Sequence, residues 1–303
     1  MASESLPGAG PRARGLLGWL RRSRRARLGG LLFPGLFWLI VFFALPLVVI
    51  LLYSFLTPGS TGNVVWRFTL DNYATLFTKD LYVNAYVRSL WMGIATTVIC
   101  LLIGYPLALF IVQRSARWRG ALLFLVLIPF WTNFLVRTYA LLFLLRANGP
   151  MNNILMGVGL IQEPISLLST PFAVWVGLVY GNLPFMILPL YSSLEKFDWT
   201  LIEAANDLGA NTVNAFFRVM LPLTAPGLLA GSILTFVPAV GSYITVELMG
   251  GGKTTMIGRV IATQFGTAGN WPLGSAMSLI LMVIVTLAAV LYFRAGRGER
   301  MAL

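Results

Sequence analysis

Six apolar runs, each long enough to cross a bilayer, decide what this chain can fold into. The hydrocarbon core is about 30 Å thick, so a helix needs about 20 apolar residues to span it. Such runs fall at about residues 31–56, 85–112, 119–145, 171–194, 222–245 and 273–294. Mean hydropathy is +0.82. Only 11% of the 303 residues are charged, against about a quarter in soluble domains. The expected fold is therefore all-α and integral to the membrane, with six transmembrane helices. Several runs carry proline, namely Pro46, Pro106, Pro129, Pro184 and Pro238. Membrane helices accept such kinks when neighbours satisfy the freed carbonyls. Gly177 with Gly181, and Gly227 with Gly231, offer thin faces for close helix packing.

Charge sets the expected orientation. Residues 1–28 form a basic arm with seven arginines, from Arg12 to Arg27. A signal peptide is the other reading of a basic run before an apolar one. The run to Leu56 is too long for that, and no small-residue cleavage site follows it. With the N-terminus in the cytoplasm, fifteen of the 22 Lys and Arg lie inside and five outside. Arg88 and Arg137 fall within spans. This asymmetry places both termini inside, including the tail 298–303. The net charge of +12 is then mostly an insertion signal, and nucleic acid is not an expected partner. The domain reading is the arm, a six-helix transmembrane domain over 29–297, and the tail. The arm near Leu16–Leu20 is placed to lie on anionic lipid.

Composition also removes chemistry. There is no histidine and one cysteine, Cys100, so His-based triads, zinc sites and internal disulfides are out, and no metal or catalytic residue is expected. The run Gly250-Gly251-Gly252-Lys253-Thr254 fails the phosphate-loop pattern, because Glu247 stands where that pattern needs glycine. An ion-gradient transporter would need titratable groups at mid-depth and an internal repeat, and neither is evident. A membrane enzyme would need a nucleophile–base pair or a metal cluster.

One polar island interrupts the apolar series between spans four and five. Residues 195–221 are too polar to cross a bilayer yet read as helix. Thr200 and Glu203 fit a capping box. Leu201, Ala204, Ala205 and Leu208 form an apolar stripe. Gly209 supplies a left-handed stop, Asn211 caps a second short helix, and Pro222 is expected to break that helix. An ordinary interfacial loop helix is the plain alternative. However, Glu203-Ala204-Ala205, Gly209, then Leu221-Pro222 resemble the EAA loop of ABC importer permeases. That resemblance implies a cytoplasmic coupling helix docking on an ATPase. It assigns ATPase coupling to Glu203, Ala204, Ala205, Asp207, Gly209, Leu221 and Pro222.

Polar groups inside spans are expensive and usually functional. Asn133 and Arg137 are four apart in span three, next to Trp131. Span four offers Tyr180 and Asn182, and span five Tyr243 and Glu247. These are the candidates for lining a substrate path. Arg137 alternatively pairs with a carboxylate or carbonyls for structure alone, and Glu247 alternatively snorkels from a helix end. The run Ile128 to Tyr139, with Gly241, Tyr243 and Leu248-Met249-Gly250-Gly251, resembles the permease of the spermidine/putrescine importer family. Many relatives have proline where this chain has Val246. The likeness implies the type I importer permease fold and a second permease subunit, as a heterodimer. It also implies two ABC ATPase subunits, an extracytoplasmic substrate-binding protein, and location in the bacterial inner membrane. No cofactor is expected on this chain; ATP and Mg²⁺ would sit on the partner ATPases. The implied cargo is a polyamine or a related amine. Arg137 would suit an opine or phosphonate better.

Overall fold

A computed structural model describes residues 24–59, 63–252 and 254–298. The arm before Arg24, the tail after Gly298 and Lys253 lie outside the described residues. The chain divides after Tyr53 into two units, and each is taken by itself.

The first unit is helical. Helix α1 (Arg24–Leu39) passes through a wide turn, Ile40–Ala44, into α2 (Leu45–Ser54). The wide turn has a physical cause in Pro46. A proline two residues into a helix has no N–H to give and collides with the carbonyl four residues back. Opening one turn to i→i+5 spacing removes the clash, and Leu45 N–H reaches back to Ile40 O. Phe33, Trp38, Phe42 and Phe43 are all exposed, as on a helix surrounded by hydrocarbon.

The second unit opens with a hairpin, β1 (Leu56–Pro58) and β2 (Val64–Phe68), antiparallel. Helix α3 (Asp71–Thr78) follows. Buried Asn72 ties the two together, its Nδ2 donating to Ser54 O at 3.0 Å and Leu56 O at 2.8 Å.

Three long helices form the centre: α4 (Asp80–Val112), α8 (Pro171–Glu195) and α11 (Leu221–Val240). Small residues let them approach. A Cβ on Gly227 would lie 2.6 Å from Pro189 O, and one on Gly231 2.9 Å from Met186 Sδ. Gly177 faces α12 (Ile244–Gly250), 2.6 Å from Thr245 Cγ2, whereas Gly181 meets nothing within 4 Å. Helix α14 (Trp271–Gly298) and the short α13 (Ile257–Phe265) complete the bundle through Tyr82, Tyr86, Val260 and Met277. Among the described residues, five helices are long and apolar enough to span a membrane, and up to six spans result if one bent pair is counted as one.

That bent pair corrects the sequence reading of span three. Residues 119–145 are not one helix. Helix α5 (Ala116–Trp131) stops, and the stretch Phe134–Gly157, made of α6 (Phe134–Leu145) and α7 (Pro150–Gly157), leaves at 91°. The ends are satisfied locally. Thr132 Oγ1 donates to Pro129 O at 2.6 Å, and Asn133 Oδ1 accepts from Leu135 N at 2.8 Å and Val136 N at 3.4 Å. A break at membrane depth is tolerated when its backbone groups find such partners. Asn133 and Arg137 therefore do not share a face of one continuous span. Span five ends earlier than residue 245: α11 stops at Val240, and Tyr243 and Glu247 belong to the turn and short helix beyond it.

Candidate coupling loop and polar seam

The loop between α8 and α11 is built from α9 (Thr200–Asp207) and α10 (Thr212–Ala215). The cap of α9 differs from the expected box. Asp198 Oδ1 accepts from Thr200 N at 3.1 Å and Thr200 Oγ1 at 2.8 Å, so Asp198 starts the helix and the Glu203 side chain stays exposed. An aspartate two residues upstream is a stronger local acceptor than a hydroxyl. Helix α9 ends as expected. Gly209 sits at φ +87°, Ala210 N–H reaches Ala205 O at 3.0 Å, and Gly209 N–H reaches Asn206 O at 2.9 Å. Both bonds of a left-handed helix stop are present. Asn211 Oδ1 accepts from Asn214 N at 2.8 Å and caps α10.

Pro222 does not break the chain's helix. Thr212–Val240 is one continuous helix because Phe216–Met220 forms a wide turn, with Leu221 N–H bonded to Phe216 O. The register to the proline is the same as at Pro46.

The loop is apolar on both sides. Inward, Phe197, Met220, Trp199, Ile202 and Phe216 join a core with Tyr105, Ile111 and Leu194. The Tyr105 ring meets Phe216 edge-on at 5.3 Å. Its hydroxyl lies 3.0 Å from Thr224 Oγ1, which itself donates to Met220 O at 2.8 Å. Outward, Leu208 is 90% exposed, Val213 61% and Phe217 60%. Three of the four stripe residues, Leu201, Ala204 and Leu208, thus face away from the bundle, and Ile202 makes the inward contact instead. Ala204 and Asp207 are exposed beside it, while Ala205 and Leu221 are half-buried and Pro222 is exposed. Leu208, Val213 and Phe217 thus leave apolar surface uncovered on this side of the loop.

The polar candidates divide into two groups. Arg137 is drawn to the broken span: its Nη1 donates to Pro129 O at 3.1 Å, and its guanidinium lies 5.7 Å from the Phe134 ring and 6.0 Å from Tyr180. It supplies a cation and a donor to the end of α5, where carbonyls are left over. Trp131 is exposed and packs edge-on against Phe124 at 5.5 Å. Asn182 is buried and spends its amide on Leu178 O at 2.8 Å. The second group is on α12, where Glu247 N–H bonds Tyr243 O at 2.9 Å and the two side chains share an exposed face. Glu247 is ion-paired with Arg259 of α13. Arg259 is one of the five cations that the charge count sets outside. The opposite charges were visible, but their pairing depends on how α12 and α13 pack. Tyr105 and Thr224, which anchor the loop, were likewise hidden inside apolar runs.

Comparisons with known proteins agree with this arrangement. Residues 100–300 match the family described as the inner membrane component of binding-protein-dependent transport systems. The chain is 46% identical over 260 residues to the spermidine/putrescine transport system permease protein PotB of Haemophilus influenzae, covering 86% of this chain and 91% of that one. The fold matches a chain of a bacterial ABC transporter involved in the import of the acidic polysaccharide alginate. There the TM-score is 0.74 at 17% identity, covering 93% of this chain and 98% of the other. It also matches that type of transporter in complex with an alginate-bound periplasmic protein, with TM-score 0.68 at 17% identity, covering 93% and 97%. Helices long enough to span a membrane, an exposed polar loop and these relatives together define a membrane transport subunit with the type I ABC importer permease fold. The chain belongs to the family of binding-protein-dependent transport system inner membrane components.

Proposed function

We propose that this chain is a permease subunit of an ATP-driven importer for polyamines or closely related amines. The observation that carries the reading is the 46% identity, over most of both chains, to a spermidine/putrescine permease. A second permease pairs with it as a heterodimer, two ABC ATPases bind beneath, and an extracytoplasmic binding protein delivers cargo. ATP and Mg²⁺ belong to the ATPases, and this chain hydrolyses nothing itself. The loop carrying Glu203, Ala204, Ala205, Asp207 and Gly209 faces the cytoplasm with both termini. Its exposed Leu208, Val213 and Phe217 dock on the ATPase. Its inward aromatics, continuing through Leu221 and Pro222 into α11, pass the movement to the spans.

Cargo passes the seam of Trp131, Tyr180, Tyr243 and Glu247. Aromatic faces and a carboxylate suit a protonated amine. Arg137 is the feature that favours a second reading, an opine or phosphonate. Its guanidinium already serves the end of α5, which weakens that case. Uptake of radiolabelled spermidine or putrescine by membrane vesicles holding the full assembly tests the reading. Competition by unlabelled amines is expected. Competition by sulfate or sugars, with none by amines, overturns it.

A further inference from the structure

The segment joining α2 to α4 is half covered and half bare. Its hairpin starts two residues after α2 ends at Ser54, and its helix α3 gives way to α4 at Asp80. Both flanking helices belong to runs long and apolar enough to span a membrane. Two residues of chain reach about 7 Å at most, so the hairpin begins at a membrane surface. Buried Asn72 holds α3 there through its bonds to Ser54 O and Leu56 O, and the Tyr73 hydroxyl donates to Ser54 Oγ at 2.8 Å. The covered part rests on the bundle: Leu56 and Leu76 are buried, and β1 and α3 lie against α14. The bare part is apolar. Trp66 is 79% exposed, Phe68 and Phe77 are 72% exposed, and Leu70 is 67% exposed. A bulge adds to it. Leu56 pairs with Phe68, but the next residue, Thr57, pairs with Val65, so the ladder skips Trp66 and Arg67. Such an insertion bends its strand and re-aims the side chains on it. Thr57 Oγ1 fastens the bulge by donating to Arg67 O at 2.9 Å. Arg67 and Lys79 are also exposed.

We propose that this bare surface is seated in the bilayer, with Trp66, Phe68, Leu70 and Phe77 at the boundary between headgroups and acyl chains. Continuity argues for lipid as the occupant, because the segment leaves one span and enters the next without room to rise far from the surface. Side-chain chemistry argues the same way. Tryptophan rings are enriched at that boundary, and long cations such as Arg67 and Lys79 keep their stems in apolar surroundings while their heads reach phosphate. Four large apolar side chains on one short segment call for a covering. The covered part belongs to the cluster in which Leu76 packs with Tyr82, Tyr86, Val260 and Met277. The segment is therefore a strap, gripping lipid on one side and the ends of α4, α13 and α14 on the other. It holds those ends at a set depth in the membrane. This needs only that α2 and α4 cross the bilayer, and it is independent of the cargo. In the orientation proposed above, the leaflet is the outer one.

The test places nitroxide labels on single cysteines in a Cys100→Ser background, with the full assembly of permeases and ATPases reconstituted in lipid vesicles. Assembly is checked by size exclusion. Labels on Trp66→Cys, Phe68→Cys and Phe77→Cys are read for collision with oxygen, which concentrates in lipid, and with a water-soluble nickel chelate. Glu163→Cys, at an exposed polar site in another loop, is the control for water. The oxygen-to-nickel ratio should be several-fold higher at the three aromatic positions than at Glu163, and adding the binding protein should leave it unchanged. A ratio at Trp66 and Phe68 equal to that at Glu163 would put the hairpin in water and overturn the proposal. Labels shielded from both collision partners would overturn it too, because protein then covers them. Shielding that appears only with the binding protein would assign the surface to that protein, and shielding without it to the second permease. None of these outcomes touches the importer reading, which stands or falls on uptake.

Discussion

At the scale of single residues, the account makes its sharpest demands of glycine. Gly209 sits at φ +87° with nothing within 4 Å of where a Cβ would stand, so its role is conformational. Gly209→Val should strain the stop by about 1–2 kcal/mol while leaving insertion intact. ATP hydrolysis by the assembly should continue, and cargo uptake should fall with it uncoupled. Wild-type coupling in that variant would contradict the loop's role. Gly227 is the reverse case, ordinary in backbone but pressed on Pro189 O. Gly227→Val should lower the thermal stability of the solubilised assembly through overpacking worth about 1–3 kcal/mol. Gly181→Ala, with open space at its Cβ, should melt like wild type. Equal effects at the two sites would mean the α8–α11 packing is wrong. Local chemistry of this kind was readable in the sequence: Gly209 and Asn211 act on their own neighbours, and each does what its residue type predicts. The capping box failed for the same local reason, since Asp198 outcompetes Thr200.

At the scale of elements, long apolar runs were legible because hydropathy reports length and little else. The runs at 85–112 and 171–194 became α4 and α8 with shifted ends. The run at 119–145 did not remain one helix, because a 91° bend at Thr132–Asn133 changes direction without changing apolarity. Only the polar pair itself, after Pro129, signalled it. The hairpin at 56–68 was missed because strands of three and five residues carry too little pattern. The bend makes a prediction of its own. Thr132 and Arg137 both serve the Pro129 carbonyl, so either can cover for the other. Thr132→Val and Arg137→Met should each cost little alone. Together they should cost about 1–3 kcal/mol more than their sum, read as thermal stability, because only the double variant orphans the carbonyl. Strict additivity would show that the two side chains do not share that task.

At the scale of the whole molecule, an apolar bundle presents one loop that is tied inward by aromatics and apolar outward. Charge asymmetry and motif point the same way from independent residues: fifteen cations on the side expected to be inside against five on the other, and a loop whose Gly209 stop and Asn211 cap form as spelled. What the sequence could not give were pairings across the bundle, such as Tyr105 with Thr224 and Glu247 with Arg259. Each lies in a run whose own period says nothing of its partner. The central claim is that residues 198–222 face the cytoplasm and bear an ATPase. Cys100 is fully buried and free, so Cys100→Ser gives a quiet background for a single reporter thiol at exposed Ala204. The most direct measurement is labelling of Ala204→Cys by a membrane-impermeant maleimide. The account predicts no reaction in intact cells, reaction in inverted vesicles stripped of the ATPase, and protection once the ATPase is restored. Labelling from outside intact cells would contradict it.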